Sequence, residues 1–245
     1  MKVALFVTCL VDNFYPQVAE AMVRVLNHYG VEVDLPEGQT CCGQPGFNSG
    51  DRESGRVMAR RFLADFESLD YVVAPSGSCT GMIRYHYAEL FPDDAAFQVR
   101  LNALSARTFE LTDFLVNVLK VERLDSSFQG RITYHDSCSG LRELGIKQQP
   151  RQLIGQVAGA RLQEMDKPEI CCGFGGTFSI KLGEIATRMA DNKCQDALTT
   201  QADAIVGGDL GCLLNIEGRL RRMGDETTQV IHVAEVLAGL ETDQS

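Results

Sequence analysis

The chain is expected to fold as two tandem Rossmann-like α/β repeats, with mainly parallel sheets and cysteines at the carboxyl ends of strands. Three observations lead there. Short continuous apolar runs alternate with amphipathic stretches along the 245 residues, the pattern of strands buried on both faces of a parallel sheet between helices. Eight of the nine cysteines form two matching sets, Cys9, Cys41, Cys42, Cys79 and Cys138, Cys171, Cys172, Cys212, offset by 129 to 133 residues. The dipeptide Cys-Cys followed by glycine is also written twice, as "TCCGQP" at 40–45 and "EICCGFGG" at 169–176.

The elements follow in order. Residues 2–8 (KVALFVT) read as a buried strand and 16–29 (PQVAEAMVRVLNHY) as a helix that stops at Gly30. A short strand at 31–35, a helix at 52–67, a strand at 70–74 (DYVVA) and a helix near 79–90 complete the first plan. The second half repeats it: strand 131–135 (RITYH), helix 149–158, strand 161–165, helix 180–200, strand 203–207 (DAIVG) and a helix from about 212. The segments 109–115 (FELTDFL) and 231–237 (IHVAEVL) match as strand ends running into helices. An internal duplication outranks other signals. The polar stretch 122–130 (ERLDSSFQG) separates a first domain, 1–121, from a second, 131–245.

Composition narrows the function. With 44% hydrophobic and 23% charged residues the chain has an ordinary core, and a net charge of −10 argues against nucleic acid or an anionic membrane as partner. Lys2 followed by "VALFVTCLV" imitates a secretion signal, but Asp12, Asn13 and Phe14 follow instead of a small-residue cleavage site. No apolar run approaches the ~20 residues of a membrane span. Nine cysteines without an export signal indicate a reducing, cytoplasmic setting. In that setting clustered cysteines bind metals or catalyse more often than they form disulfides.

The spacing makes chemical sense if the cysteines converge. The first of each set ends a strand, and the last follows a strand and opens a helix (VVAPSGSC79, IVGGDLGC212). Strand carboxyl ends in a parallel sheet share one edge, where ligands bind. Adjacent cysteines can face one centre only if the chain turns sharply, and Gly43 and Gly173 can take positive φ at no steric cost. Gly175 and Gly176 let the backbone approach a bulky inorganic centre. A helix start at Cys79 or Cys212 favours the thiolate that a metal requires. Sets of four soft thiolates select an iron–sulfur cluster or zinc. Structural zinc takes close Cys-x2-4-Cys pairs from small hairpins, whereas these ligands span a whole domain, which favours iron and sulfur. Cys194 has no counterpart in the first half and reads as a core residue of a helix.

Other candidates carry less. His135, three residues before Cys138, is placed to donate a hydrogen bond to a cluster or to relay a proton. Arg142 and Glu143 read as a mutual pair, and His28, His86 and His232 as surface or helix-packing residues. No G-x-G-x-x-G or Walker A pattern occurs.

The strings "CCGQPGFNSGD", "YHDSCSGLRELG" and "CCGFGGTFSIK" resemble the cysteine-rich CCG domain. That domain occurs twice in one of the subunits of heterodisulfide reductase and in related subunits of glycolate oxidase and anaerobic glycerol-3-phosphate dehydrogenase. The lactate-utilisation protein A branch is most similar, and the likeness covers essentially the whole chain. It implies an iron–sulfur subunit, with a 4Fe-4S cluster in each half, passing electrons in a complex that oxidises L-lactate to pyruvate. Its partners are then the other subunits, including a ferredoxin-like iron–sulfur protein. One departure matters. The heterodisulfide reductase domain ends in Cys-x-x-Cys, and the first of that pair is here Ser76 or Asp209. Those two become candidate oxygen ligands or neighbours of the centre, and five-thiolate heterodisulfide chemistry does not carry over. A zinc-stabilised assembly scaffold and a thiol/disulfide reductase are the competing readings.

Overall fold

The computed structural model describes residues 1–239; the expected end of the second repeat at 245 lies outside the described residues. The first half runs β1 (Lys2–Leu5), α1 (Cys9–Phe14), α2 (Pro16–His28), β2 (Glu32–Asp34), α3 (Gln44–Asn48), α4 (Arg52–Phe66), β3 (Tyr71–Ala74), α5 (Gly77–Gly81), α6 (Ala95–Ser105), β4 (Thr108–Glu110) and α7 (Leu111–Asp113). The second runs β5 (Ser127–His135), α8 (Cys138–Arg142), α9 (Gln148–Ile154), β6 (Ala158–Leu162), α10 (Thr177–Lys181), α11 (Gly183–Thr199), β7 (Ala204–Gly207), α12 (Leu210–Arg222), β8 (Gln229–His232) and α13 (Val233–Ala238). Two four-stranded, all-parallel sheets result, ordered β2-β1-β3-β4 and β6-β5-β7-β8.

Local chemistry sets the helices. Pro16 opens α2, where its missing N–H costs nothing. Val18, Ala21, Met22, Val25 and Leu26 then recur at helical spacing and are all buried. The Asp51 side chain accepts the Ser54 N–H at 3.0 Å and starts α4.

Several elements differ from their expected bounds. β1 stops at Leu5 rather than 8, so Cys9 opens α1 instead of ending a strand. The cause is a side chain. Gln39 donates from Nε2 to the Leu5 carbonyl at 3.0 Å and accepts the Val7 N–H at 2.9 Å, continuing the ladder where β2 has ended. The expected helix 79–90 is instead α5, a π-helical stretch Met82–His86 and a 3-10 turn Ala88–Leu90. β6 lies three residues earlier than expected, at Ala158–Leu162, and β5 begins at Ser127, inside the polar stretch 122–130. Helix α6, capped by Asp94 on the Phe97 N–H, had no apolar periodicity strong enough to announce it.

One face of each sheet enters a core shared by both halves: Val3, Leu5 and Val73 meet Ile132, Tyr134 and Val206 in one apolar cluster. Helix α13 of the second half packs on α2 of the first, and α7 of the first on α9 of the second. The outer faces are separate. Phe6 and Ala74 pack under α4 in the first half, and Ile205 packs with Cys194 and Ile216 in the second. The backbones of the halves pack tightly at Gly77, where an added Cβ would lie 2.9 Å from the Gly140 Cα. Gly77→Ala is therefore expected to lower unfolding free energy by about 2 kcal/mol in urea denaturation. Gly183→Ala, with nothing within 4 Å of its Cβ, should leave stability unchanged or raise it.

Candidate metal centre

In each sheet the strand order reverses between the first and third strands, β1 and β3 or β5 and β7. A crevice opens at the carboxyl ends there because the two connections leave in opposite directions. Cys9 follows β1, Cys41 and Cys42 follow β2, and Cys79 follows β3. The fold thus draws the first set together: Cys9 Sγ lies 3.8 Å from Cys41 Sγ, and Cys42 Sγ lies 3.3 Å from Cys79 Sγ. In the second half Cys171 receives hydrogen bonds from Cys138 and Cys172, and Cys172 also contacts Cys212. All nine cysteines are free thiols.

The turns are built for this. Gly43 and Gly173 take φ of +81° and +87°, and each N–H points at the sulfur two residues back, 3.4 Å from Cys41 and from Cys171 Sγ. No side chain fits at Gly173, where a Cβ would stand 2.5 Å from the Ala186 carbonyl oxygen. Tyr87 donates its hydroxyl to the Cys42 carbonyl at 2.9 Å, and Asn215 does the same for Cys172 at 2.8 Å. The two Cys-Gly peptides that follow are thus fixed by different residues in an equivalent way.

Charge within each set is uneven. Hydrogen bonds from Cys42 and Cys9 hold the Cys41 thiol down to about 2, and those from Cys138 and Cys172 do the same for Cys171. Their partners move the other way, since Cys9, Cys42, Cys138 and Cys172 give up those donors on ionising and are partly (Cys9, Cys138) or fully (Cys42, Cys172) buried. Each half thus has one acidic thiol surrounded by S–H donors. Four thiolates side by side require a multiply charged cation among them. A cleft of about 120 Å³ is lined by all four thiols of the first half and by Phe174, Asp209 and Leu210 of the second. That is well below the roughly 300–1,000 Å³ of organic-ligand pockets and suits a compact inorganic group. The donor set, the turns and the cleft fit an iron–sulfur centre.

Ser76 and Asp209, each three residues before the last cysteine of its set, meet across the seam between the halves. The Asp209 carboxylate accepts the Ser78 N–H at 2.8 Å and the Ser76 hydroxyl at 3.2 Å, while Ser76 Oγ caps α5 through the Cys79 N–H. Their oxygens tie the halves together beside the sulfurs. His135 ends β5, and its ring lies within 4.8 Å of Cys172 and Cys212 Sγ. Burial and the neighbouring Lys193 push its pKa down to about 3, while Cys171 acts the other way. Glu143 faces His86 of the first half at 3.4 Å instead of pairing with Arg142. Cys194 is fully buried on α11, in contact with the Ile216 carbonyl.

Two residues escaped sequence reading. His232, read as a surface or helix-packing residue, is buried, caps α13 through Nδ1 and reaches the Pro75 carbonyl of the first half with Nε2 at 2.8 Å. Its counterpart Glu110 ends β4 and caps α7, accepting the Thr112 and Asp113 N–H groups. Its second oxygen faces Gly208 and Tyr134 of the second half without a hydrogen bond. The paired segments 109–115 and 231–237 were the available signal.

Two four-cysteine sites at the switch points of a duplicated parallel fold define a tandem cysteine-rich domain protein. The sequence profile of the cysteine-rich domain, CCG, matches residues 3–84 and 132–217, and the chain belongs to that family. It is 47% identical over 238 residues to Lactate utilization protein A 2 of Bacillus cereus strain 03BB102, covering 97% of this chain and 98% of that one. It is 48% identical over 237 residues to Lactate utilization protein A of Halalkalibacterium halodurans, covering 97% and 96%. Among solved structures, a hypothetical protein from Helicobacter pylori shares the fold, with a TM-score of 0.67 and 12% identity over 99% of this chain and 50% of that one.

Burial holds the Glu110 carboxyl up at about 7 against an ordinary 4.5. A carboxyl raised on folding contributes stability that is fully present below about 4.5 and is lost as pH rises through about 7. Glu110→Gln should remove on the order of 3 kcal/mol of pH dependence across that window. Urea denaturation at a series of pH values checks this; an unchanged slope would refute the assignment.

Proposed function

We propose that the chain is an iron–sulfur electron-transfer subunit of a complex that oxidises L-lactate to pyruvate. Cys9, Cys41, Cys42 and Cys79 hold one 4Fe-4S cluster, and Cys138, Cys171, Cys172 and Cys212 hold the other. The observation that carries this reading is the twofold convergence of four thiols on a switch-point crevice. The lactate assignment rests on full-length likeness to proteins named for lactate utilisation.

A bound cluster supplies one-electron acceptance and release. The chain's own residues supply the rest. Cys41 and Cys171 are the ready thiolates, and the Gly43 and Gly173 N–H groups donate toward their sulfurs. The Phe174 N–H does so toward Cys172 at 3.5 Å. Such donors lower the cost of added negative charge. Phe174 and Leu210 cover the first crevice from the second half and limit water. Removing two electrons and a proton from a 2-hydroxy acid calls for an organic hydride acceptor or its equivalent, which this reading assigns to a partner subunit. The other subunits then include a ferredoxin-like protein, and the complex works in the cytoplasm. No helix among the described residues is long and apolar enough to cross a membrane.

Anaerobically purified protein should contain iron and acid-labile sulfide in near-equal amounts; stoichiometric zinc without sulfide would favour the scaffold reading. Cys42→Ser and Cys172→Ser should each empty one half and leave the other loaded, because serine replaces a soft donor with a hard one. Cys194→Ser should leave iron content unchanged. Lactate should bleach the cluster absorption only when partner subunits are present. Turnover by the isolated chain would place the substrate site here instead.

A further inference from the structure

The two crevices have the same frame but different walls. The five buried positions of α4, Gly55, Ala59, Phe62, Leu63 and Phe66, correspond one for one to Ala186, Ala190, Lys193, Cys194 and Ala197 of α11. Met58 and Met189 fix the register, since each lies against the glycine of its own Cys-Cys-Gly turn. On the strands, Phe6 corresponds to His135. In the first half Phe6 meets Phe62 edge-on at 5.0 Å and Phe66 at 5.6 Å, within the apolar cluster that includes Cys42 and Cys79. In the second half those positions carry an imidazole, an ammonium and a methyl group.

The imidazole is 1% exposed, and neither ring nitrogen has a hydrogen-bond partner among the described residues. Such a group is costly unless something accepts its N–H. The atoms it faces are Cys172 and Cys212 Sγ. Behind it, Lys193 Nζ donates to the carbonyls of Lys167 at 2.9 Å and Pro168 at 3.1 Å, on the segment that leads into Cys171. The nearby Asp136 is neutralised by a two-pronged contact with Arg151. Asp209 on the seam lines the first crevice and also acts on Cys138 and Cys212, so its carboxyl group opposes the effect of His135 and Lys193 at the second site.

We propose that the two centres are electrically unequal, the second-half centre being the more readily reduced because His135 donates its N–H to a sulfur there and Lys193 stands behind it as a cation. This rests on the iron–sulfur reading above. Reduction adds one negative charge to a buried site, and a donor and a cation stabilise that charge where the dielectric is low. The aromatic wall of the first site offers neither. An electron shared between the two centres therefore rests on the second. One electron is transferred and no bond breaks.

Potentiometric titration of the full chain, followed by electron paramagnetic resonance, tests the proposal. Two transitions are expected, and Cys42→Ser and Cys172→Ser assign the higher one to the second half. His135→Phe and Lys193→Met should each lower the higher potential and leave the lower one in place. His135→Gln, which keeps an N–H, should retain it even if the phenylalanine variant folds poorly. Protein grown on nitrogen-15 histidine should show nitrogen coupling to the second centre that disappears in His135→Phe. Equal potentials, a higher potential in the first half, or indifference to both variants would overturn the inference while leaving the iron–sulfur reading intact. Metal and sulfide analysis that finds no cluster would instead remove that reading, and the inference with it.

Discussion

In a parallel sheet every strand ends on the same edge, and the order β2-β1-β3-β4 makes the connections diverge between β1 and β3. Every feature of the sites depends on that divergence. Cysteines more than thirty residues apart arrive within hydrogen-bonding distance of one another because each follows the end of a strand. The side-chain ladder of Gln39 belongs to the same arrangement: it holds the chain in register between Leu5 and Val7, just before Cys9 turns into α1. The positive-φ glycines after each cysteine pair then let two adjacent sulfurs face inward.

The two halves are not beads on a string. They share a core and cross-pack helices, and polar contacts lie along the seam near the sulfurs. Asp209 bonds to the Ser76–Ser78 turn, and His232 bonds to Pro75. Ser76 and Asp209, the candidate oxygen ligands or neighbours of the sequence reading, join the halves. A buried carboxylate needs satisfied partners, and the N–H and hydroxyl groups of the opposite half supply them. The crevice of the first half is therefore walled partly by the second, which a single repeat could not reproduce.

Duplication preserved backbone geometry and let the wall chemistry diverge. Met58 and Met189, Ala59 and Ala190, and the two turn glycines stand in equivalent places. Phe6 and Phe62 against His135 and Lys193 do not match chemically. The polarity and charge behind the sulfurs change. A redox centre responds to those two quantities, so two copies of one site need not behave as one.

The sequence alone determined the α/β class, the duplication, the eight matched cysteines and the separate status of Cys194. These are legible because parallel strands are continuous apolar runs, and because ligands on one sheet edge recur at the period of the repeat. Element ends were less legible: β1 stops early because a distant glutamine takes over its ladder, and the helix after Cys79 gives way to a π-helical stretch. Only the tertiary structure decided that Ser76 and Asp209 meet each other, that His232 and Glu110 are seam residues, and that His135 lies unpaired against Cys172 and Cys212. The physical reason is distance along the chain. Ser76 and Asp209 are brought together only when the halves close on their common core, and no local propensity or period encodes that closure.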